Sequence, residues 1–293
     1  MSLFDAFSYA GKRVLVVGGA TGMGGAAVDL LKDAGADVVV MDFADVPHDG
    51  VTKIHLNLGD LASIDAALDE CGGPIDALFA CAGVADGTPN VEWINFAGHR
   101  HLLERAIAEG LMGAGSAVCF ISSSAGLGWE NQLSQYKELF ATPDAHSAAA
   151  WLRENNKADY FHTKQALCAF VAHEAYRLMG RGIRINAICP GPTDTPLAQA
   201  NKESWLGTGA DYREDLGIDA STALDQAYAM VFLNSDAARV ISGITLVSDV
   251  GYLASGVTGS FPGAILMAQL LHGRAADGVE IPPMDEDGNI ITE

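Results

Sequence analysis

Short runs of β-branched and small apolar residues recur along the chain, separated by stretches in which apolar positions return every three or four residues. Residues 13–17 read as a buried strand, followed by an amphipathic helix over 23–34. Residues 36–41 form a second strand and 52–56 a weaker third. Residues 75–81, 116–121, 183–188 and 244–247 are the fourth to seventh. Strands without apolar–polar alternation are covered on both faces, as in a parallel sheet flanked by helices. The pattern predicts an α/β fold: a doubly wound, Rossmann-type parallel sheet of seven strands, helices on both faces and right-handed crossovers.

Two segments break this rhythm. Residues 128–159 follow the fifth strand and are too polar and mixed to be a strand, with helical pieces at 134–140 and 147–155. The tail, 252–293, carries an apolar patch at 261–271 and then an acidic, proline-containing end. No repeat or clean linker separates them from the rest. The reading is one dinucleotide-binding and catalytic domain over 1–251, with an insertion at 128–159, and a C-terminal extension over 252–293. The insertion adjoins Ser123 and Tyr160 in sequence and is expected to form a second wall of the cleft. An exposed patch at 261–271 would aggregate or dock. It is expected to cover the cleft, a subunit boundary or a sheet edge.

Charge narrows the partners. Seventeen Lys and Arg face 37 Asp and Glu, a net charge of −20. Such a chain repels nucleic acid and anionic membranes. The apolar runs are too short to span a bilayer, and the first ten residues lack a signal-peptide pattern. Five cysteines and eight histidines show no zinc-ligand spacing. An odd set of cysteines without a framework suits the reducing cytoplasm.

The first strand runs directly into Gly18-Gly19-Ala20-Thr21-Gly22-Met23-Gly24. Glycines serve where a chain turns sharply from strand to helix and where its backbone must approach a pyrophosphate. The helix that follows points free N–H groups and the positive end of its dipole at the anion. Asp42 ends the second strand, where a carboxylate can accept from both adenosine ribose hydroxyls and repel a 2′-phosphate; capping of the following loop is the other reading. Tyr160 and Lys164 stand four apart, on one face if the segment is helical. A neighbouring ammonium would stabilise a phenolate.

With these motifs in order, the chain resembles the short-chain dehydrogenase/reductase family over roughly 10–251. The glycine turn resembles TGxxxGxG, with Val17 in place of Thr. Ala80-Cys81-Ala82-Gly83, Asn95, Ser122-Ser123-Ser124-Ala125-Gly126, Tyr160 with Lys164, and Asn186 to Thr195 then follow. The resemblance implies Tyr160 as general acid/base, and Ser123 as the residue that holds the reacting oxygen. Lys164 would hold the nicotinamide ribose and lower the Tyr160 pKa, and Asn95 would position a relay water near the lysine. It implies NAD as cofactor, bound by Gly18, Thr21, Gly22, Met23, Gly24 and Asp42. Asn57, Leu58, Cys81, Ala82, Gly83, Tyr160 and Lys164 would continue that site, and Pro190, Gly191, Thr193 and Thr195 would fix the nicotinamide amide.

Some positions depart from the family. Cys81 and Ala82 replace two asparagines, and Asn57 replaces an aspartate, although its amide oxygen can still accept from an adenine amino group. The closing Asp-Gly-Gly is here Asp249-Val250-Gly251. The long spacing from Ser123 to Tyr160, with Cys81-Ala82-Gly83 and Thr193-Asp194-Thr195-Pro196-Leu197, resembles bacterial 3α-hydroxysteroid dehydrogenase/carbonyl reductase. The variable lid, 196–218, contains Leu197, Trp205, Leu206, Tyr212 and Leu216, with Lys202 and Arg213 its cations. That content favours a bulky hydrophobic small molecule, a ring-bearing secondary alcohol or ketone, steroid-like first, with aryl and terpene alcohols and dihydrodiols next. A homo-oligomer, dimer or tetramer, is expected. A non-enzymatic NAD(H) sensor or scaffold is the reading from another class, disfavoured because Tyr160 and Lys164 are both kept.

Overall fold

The computed structural model describes residues 2–272, so the acidic end of the tail, 273–293, lies outside the described residues. The seven predicted strands form one sheet: β1 (Arg13–Val17), β2 (Asp37–Asp42), β3 (Thr52–His55), β4 (Ala77–Ala80), β5 (Ala117–Ile121), β6 (Arg184–Pro190) and, after two short strands, β9 (Thr245–Ser248). All pair in parallel, in the order β3-β2-β1-β4-β5-β6-β9.

Alternation along each strand decides which layer a side chain joins. Val14, Val16, Val38 and Val40 pack with Ala27, Val28 and Leu31 of α1 (Gly22–Asp33), and with Met230 and Leu233 of the helix over Ala223–Asn234. Leu15, Val17, Val39 and Met41 face the opposite way. They meet Ile64 and Leu68 of α2 (Leu61–Cys71), Leu102 and Leu103 of α3 (Gly98–Ala108), and apolar residues further along the chain. Strand order reverses between β1 and β4, which opens a crevice at their carboxyl ends where ligands of such sheets bind.

The insertion folds as helices near the predicted pieces: α4 (Leu133–Phe140) and α5 (Ala145–Glu154). It does not form a second wall of the cleft. Tyr136, Leu139, Ala148, Ala149 and Leu152 are fully buried in the main core, so the amphipathic helices turn their apolar faces inward. Arg100 of α3, itself buried, donates to the Leu139 carbonyl at 3.2 Å and the Thr142 hydroxyl at 2.8 Å, which locks the α4–α5 corner in place. Next comes α6 (Tyr160–Met179), the helix that carries Tyr160 and Lys164.

Past β6, the lid folds as α7 (Pro196–Ala200), α8 (Lys202–Trp205) and α9 (Ala210–Leu216). Its two ends are pinned together by β7 (Thr193–Asp194) and β8 (Ser221–Thr222), which pair Thr193 with Ser221. α10 (Ala223–Asn234) then covers the sheet beside α1. In the tail, α11 (Tyr252–Thr258) and α12 (Ile265–His272) are apolar but bent by 97° to one another. Among the described residues no single helix is long and apolar enough to cross a membrane.

Candidate active site

At the crevice the chain presents bare backbone. Gly18 has φ +83°, and a Cβ there would stand 2.4 Å from the Ala82 nitrogen. A Cβ at Gly24 would stand 2.0 Å from the Gly18 carbonyl oxygen. Neither position accepts a side chain, so the turn from β1 into α1 closes as tightly as an approaching phosphate requires. Thr21, the N-cap of α1, makes no side-chain capping bond, so the first-turn N–H groups have no side-chain acceptor from the cap. That cavity is roughly 460 Å³, and its walls include Gly18, Thr21, Gly22, Met23, Gly24 and Asp42. Asn57, Leu58, Cys81, Ala82, Gly83 and Thr195 complete the predicted set on the same cavity.

Asp42 accepts from the Ala20 N–H at 2.8 Å and the Ala44 N–H at 2.9 Å, which ties the end of β2 to the glycine turn. Each oxygen keeps a lone pair for a ribose hydroxyl. Among the described residues lining this cavity there is no Lys or Arg. The Asn57 side-chain oxygen accepts from the Gly59 N–H at 2.9 Å, which fixes the amide in the loop that walls the cavity and leaves it a second lone pair.

A second cavity, roughly 290 Å³, shares Met23, Cys81, Gly83, Thr195 and Leu197 with the first, so the two are continuous. Ser123, Tyr160, Lys164, Pro190, Gly191 and Thr193 all reach it. Of the three consecutive serines, Ser122 is buried and donates to the Lys164 carbonyl at 2.9 Å. Ser123 accepts from the Ala125 N–H at 3.1 Å, which fixes its oxygen and leaves its proton free to donate. Asp159 caps α6 by accepting from His162 N–H at 2.8 Å, and so sets Tyr160 at the first helical position.

Burial dominates the electrostatics. It pushes Tyr160 up to about 12; the Ser123 hydroxyl pulls the other way, and Asp86 and Cys189 add to the rise. Lys164 is expected to lower it, yet the net shift is upward. Its ammonium lies 5.5 Å from the Tyr160 ring centroid and donates to the Ile121 carbonyl at 2.9 Å, and loss of water outweighs that distant charge. Burial also brings Lys164 down to about 8. Asn95 is fully buried in a π-helical turn (Trp93–Ala97), where it accepts from Val84 N–H at 2.8 Å and donates to Val84 O at 3.0 Å. Its side chain thus braces the loop after β4 and lines neither cavity.

Several wall residues carried no motif. Asp86 accepts from the Tyr160 N–H at 2.5 Å and faces the second cavity, at a position no sequence period marks. Because a raised pKa keeps the phenol protonated at neutral pH, alcohol oxidation should accelerate as pH rises toward deprotonation. Asp86→Asn keeps the acceptor but removes the charge, and should move that rise to lower pH by about half a unit. A pH profile of kcat/KM that stays in place would contradict this.

Apolar walls come from three places: Phe161 beside the tyrosine, Leu197 and Trp205 of the lid, and Met267 and Leu271 of the tail. The Trp205 and Tyr160 ring centroids are 4.8 Å apart. Lid residues Leu206, Tyr212 and Leu216 do not reach the cavity. Tyr212 instead packs edge-on to Tyr252 and Phe261 and donates to the Val250 carbonyl at 3.0 Å, which joins the lid to the tail. Arg213 is likewise occupied, donating to the Thr208 carbonyl at 2.8 Å. The tail patch therefore covers the cleft. Replacing Met267 and Leu271 together by Ala should raise KM for an apolar substrate about 15-fold, the effect of roughly one lost methylene contact each. An unchanged KM in steady-state kinetics would remove the tail from the substrate wall.

A family model described as the NAD dependent epimerase/dehydratase family matches residues 14–168, more than half of the chain. One described as enoyl-(acyl carrier protein) reductase matches 145–253. The chain belongs to the short-chain dehydrogenase/reductase family. Its coarse activity is accordingly that of an oxidoreductase. It is similar to coniferyl-alcohol dehydrogenase of Pseudomonas sp., 27% identical over 82% of this chain and 96% of that one. It is also similar to 3-alpha-hydroxysteroid dehydrogenase/carbonyl reductase of Comamonas testosteroni, 29% identical over 81% of this chain and 95% of the relative. Among solved structures, the 3-alpha-hydroxysteroid dehydrogenase from Pseudomonas sp. B-0831, complexed with NADH, aligns with a TM-score of 0.67. Its identity is 26%, covering 84% of this chain and all of that one. These support the narrower resemblance to the hydroxysteroid dehydrogenase group.

Proposed function

We propose that this chain interconverts a secondary alcohol and a ketone on a bulky hydrophobic substrate, using NAD(H), with a steroid-like ring system the first candidate. The observation that carries the reading is the convergence of Ser123, Tyr160 and Lys164 on a cavity continuous with the glycine cradle. The bare backbone of that cradle and the carboxylate of Asp42 suit a dinucleotide without a 2′-phosphate. Gly18 to Gly24 would hold its pyrophosphate, Asp42 its adenosine ribose, Lys164 its nicotinamide ribose, and Pro190, Gly191, Thr193 and Thr195 its amide end. Leu58, Cys81, Ala82 and Gly83 would flank it. When bound, the nicotinamide supplies or accepts the hydride.

The protein's own part is positional and acid–base. Ser123 donates to the reacting oxygen and holds it against the Tyr160 hydroxyl. In reduction, Tyr160 gives its proton to that oxygen; in oxidation it takes the proton back. A phenol raised to about 12 is protonated at neutral pH, so the resting form is the donor. Lys164, lowered to about 8, remains mostly cationic at neutral pH and favours the transient phenolate. The aromatic and aliphatic walls exclude water and bury apolar surface. Lys164 is the single Lys or Arg among the described residues lining the cavity, which disfavours phosphorylated substrates.

The relatives named above act, by their names, on coniferyl alcohol and on 3-alpha-hydroxysteroids, which supports ring-bearing substrates. Substrate class can be tested by comparing kcat/KM for a steroid, a monocyclic terpene alcohol, an aryl alcohol and a small polar hydroxy acid. Preference for a ring substrate is expected; preference for the small acid would contradict the reading. The reading extends to a homo-oligomer, dimer or tetramer, as the family resemblance implies, and to a reducing cytoplasm, which five cysteines without a framework suit.

A further inference from the structure

We propose that residues 128–159 form a clamp that holds the Ser123 loop in register with the Tyr160–Lys164 turn, and that Gln165 is its positioning residue. The inference rests on the catalytic reading above and assigns a task to the segment that does not line the cleft.

Gln165 follows Lys164 on α6 and is only 3% exposed. Its amide nitrogen donates to the Leu127 carbonyl at 3.1 Å, at the end of the loop that begins with Ser123. Its amide oxygen accepts from the Tyr136 hydroxyl at 3.0 Å and from Gln132 at 3.3 Å, both in the insertion. Gln132 in turn accepts from Lys157, whose ammonium lies 5.7 Å from the Tyr136 ring centroid. Tyr136 is fully buried and Lys157 is 6% exposed, so these bonds form largely out of water. On the other side of the insertion, Arg153 donates to the buried Glu92 at 2.8 Å, beside the π turn that contains Asn95.

The physical case is directional. Apolar contacts bury area but leave helix rotation and sliding loosely defined; a satisfied buried hydrogen-bond network fixes one arrangement. Ser123 and Tyr160 sit on different elements yet must share one substrate oxygen. Misplacement by about 1 Å at such a pair slows turnover on the order of a hundredfold. Gln165 joins the two elements at a single amide and hands the load to Tyr136 and Gln132.

The test uses the full chain with Gln165→Met, which keeps length and apolar bulk while removing all three bonds, and Tyr136→Phe, which keeps the ring. Expected for Gln165→Met is a fall in kcat of about 10- to 100-fold, with NADH affinity and substrate KM within about twofold. Amide hydrogen exchange across 122–127 should quicken in both variants. Tyr136→Phe should show the smaller kinetic effect, and it carries the test alone if Gln165→Met does not fold. Unchanged kcat and unchanged exchange across 122–127 would overturn the clamp. So would a kcat loss matched by an equal loss of NADH affinity. The exchange measurement does not depend on turnover. An inactive wild type with faster loop exchange in the variants would therefore sink the catalytic reading and leave the clamp standing.

Discussion

Tyr160→Phe is expected to lower kcat by about 10²- to 10⁴-fold in both directions, the range for losing a general acid/base. The phenylalanine ring keeps its place against Trp205, whose centroid lies 4.8 Å from that of Tyr160, so the cavity should retain its shape. Stability and NADH affinity should therefore stay near wild type, with the loss falling on a transition-state interaction. Removing a buried hydroxyl whose ionised form is disfavoured is not expected to destabilise the fold. Steady-state kinetics beside a direct binding titration would check this. Near-normal turnover would mean that the acid is another group.

The second large effect concerns cofactor choice. kcat/KM with NAD(H) should exceed that with NADP(H) by about 30- to 1,000-fold, equivalent to about 2–4 kcal/mol for bringing a phosphate against a desolvated carboxylate. Asp42 is held in place by two backbone N–H groups and cannot swing aside without releasing the Ala20 and Ala44 amides. No Lys or Arg among the described lining residues offsets it. Asp42→Ser should narrow the ratio by easing acceptance of the 2′-phosphate. Equal efficiencies in the wild type would contradict the assignment of Asp42 to the ribose.

Much of this was legible in the sequence because the relevant signals are local. Valine-rich strands buried on both faces have one stable environment, and all seven appear in the sheet, with ends displaced by a few residues. The glycine turn announces itself because Gly18 and Gly24 leave no space for a Cβ. Tyr160 and Lys164 are adjacent on one helix, and Ser123 was separable from its neighbours by position. What escaped depends on tertiary contact. Asp86 reaches the Tyr160 amide across 74 residues, and nothing in its neighbourhood marks it. The insertion was misplaced because sequence adjacency to Ser123 and Tyr160 does not say which way an amphipathic helix turns. Tyr136, Leu139 and Leu152 took it to the core. The net rise on Tyr160 is also a tertiary effect, because burial depends on packing and not on the spacing of Tyr160 and Lys164. The placement of the tail is likewise tertiary: Tyr212 meets Tyr252 and Phe261, and Met267 and Leu271 enter the cleft wall.

The most direct test of hydride transfer between NAD(H) and a ring carbonyl is an isotope-tracing reaction. Wild-type enzyme is incubated with NADH deuterated at C4 of the nicotinamide and a hydrophobic cyclic ketone, and the alcohol product is analysed by mass spectrometry and NMR. The expected result is an alcohol carrying the deuterium on its carbinol carbon, formed with wild type and nearly absent with Tyr160→Phe. Tight NADH binding without any deuterated alcohol, across steroid, terpene and aryl ketones, would contradict the enzyme reading and identify the chain as a binder of the cofactor that does not turn it over.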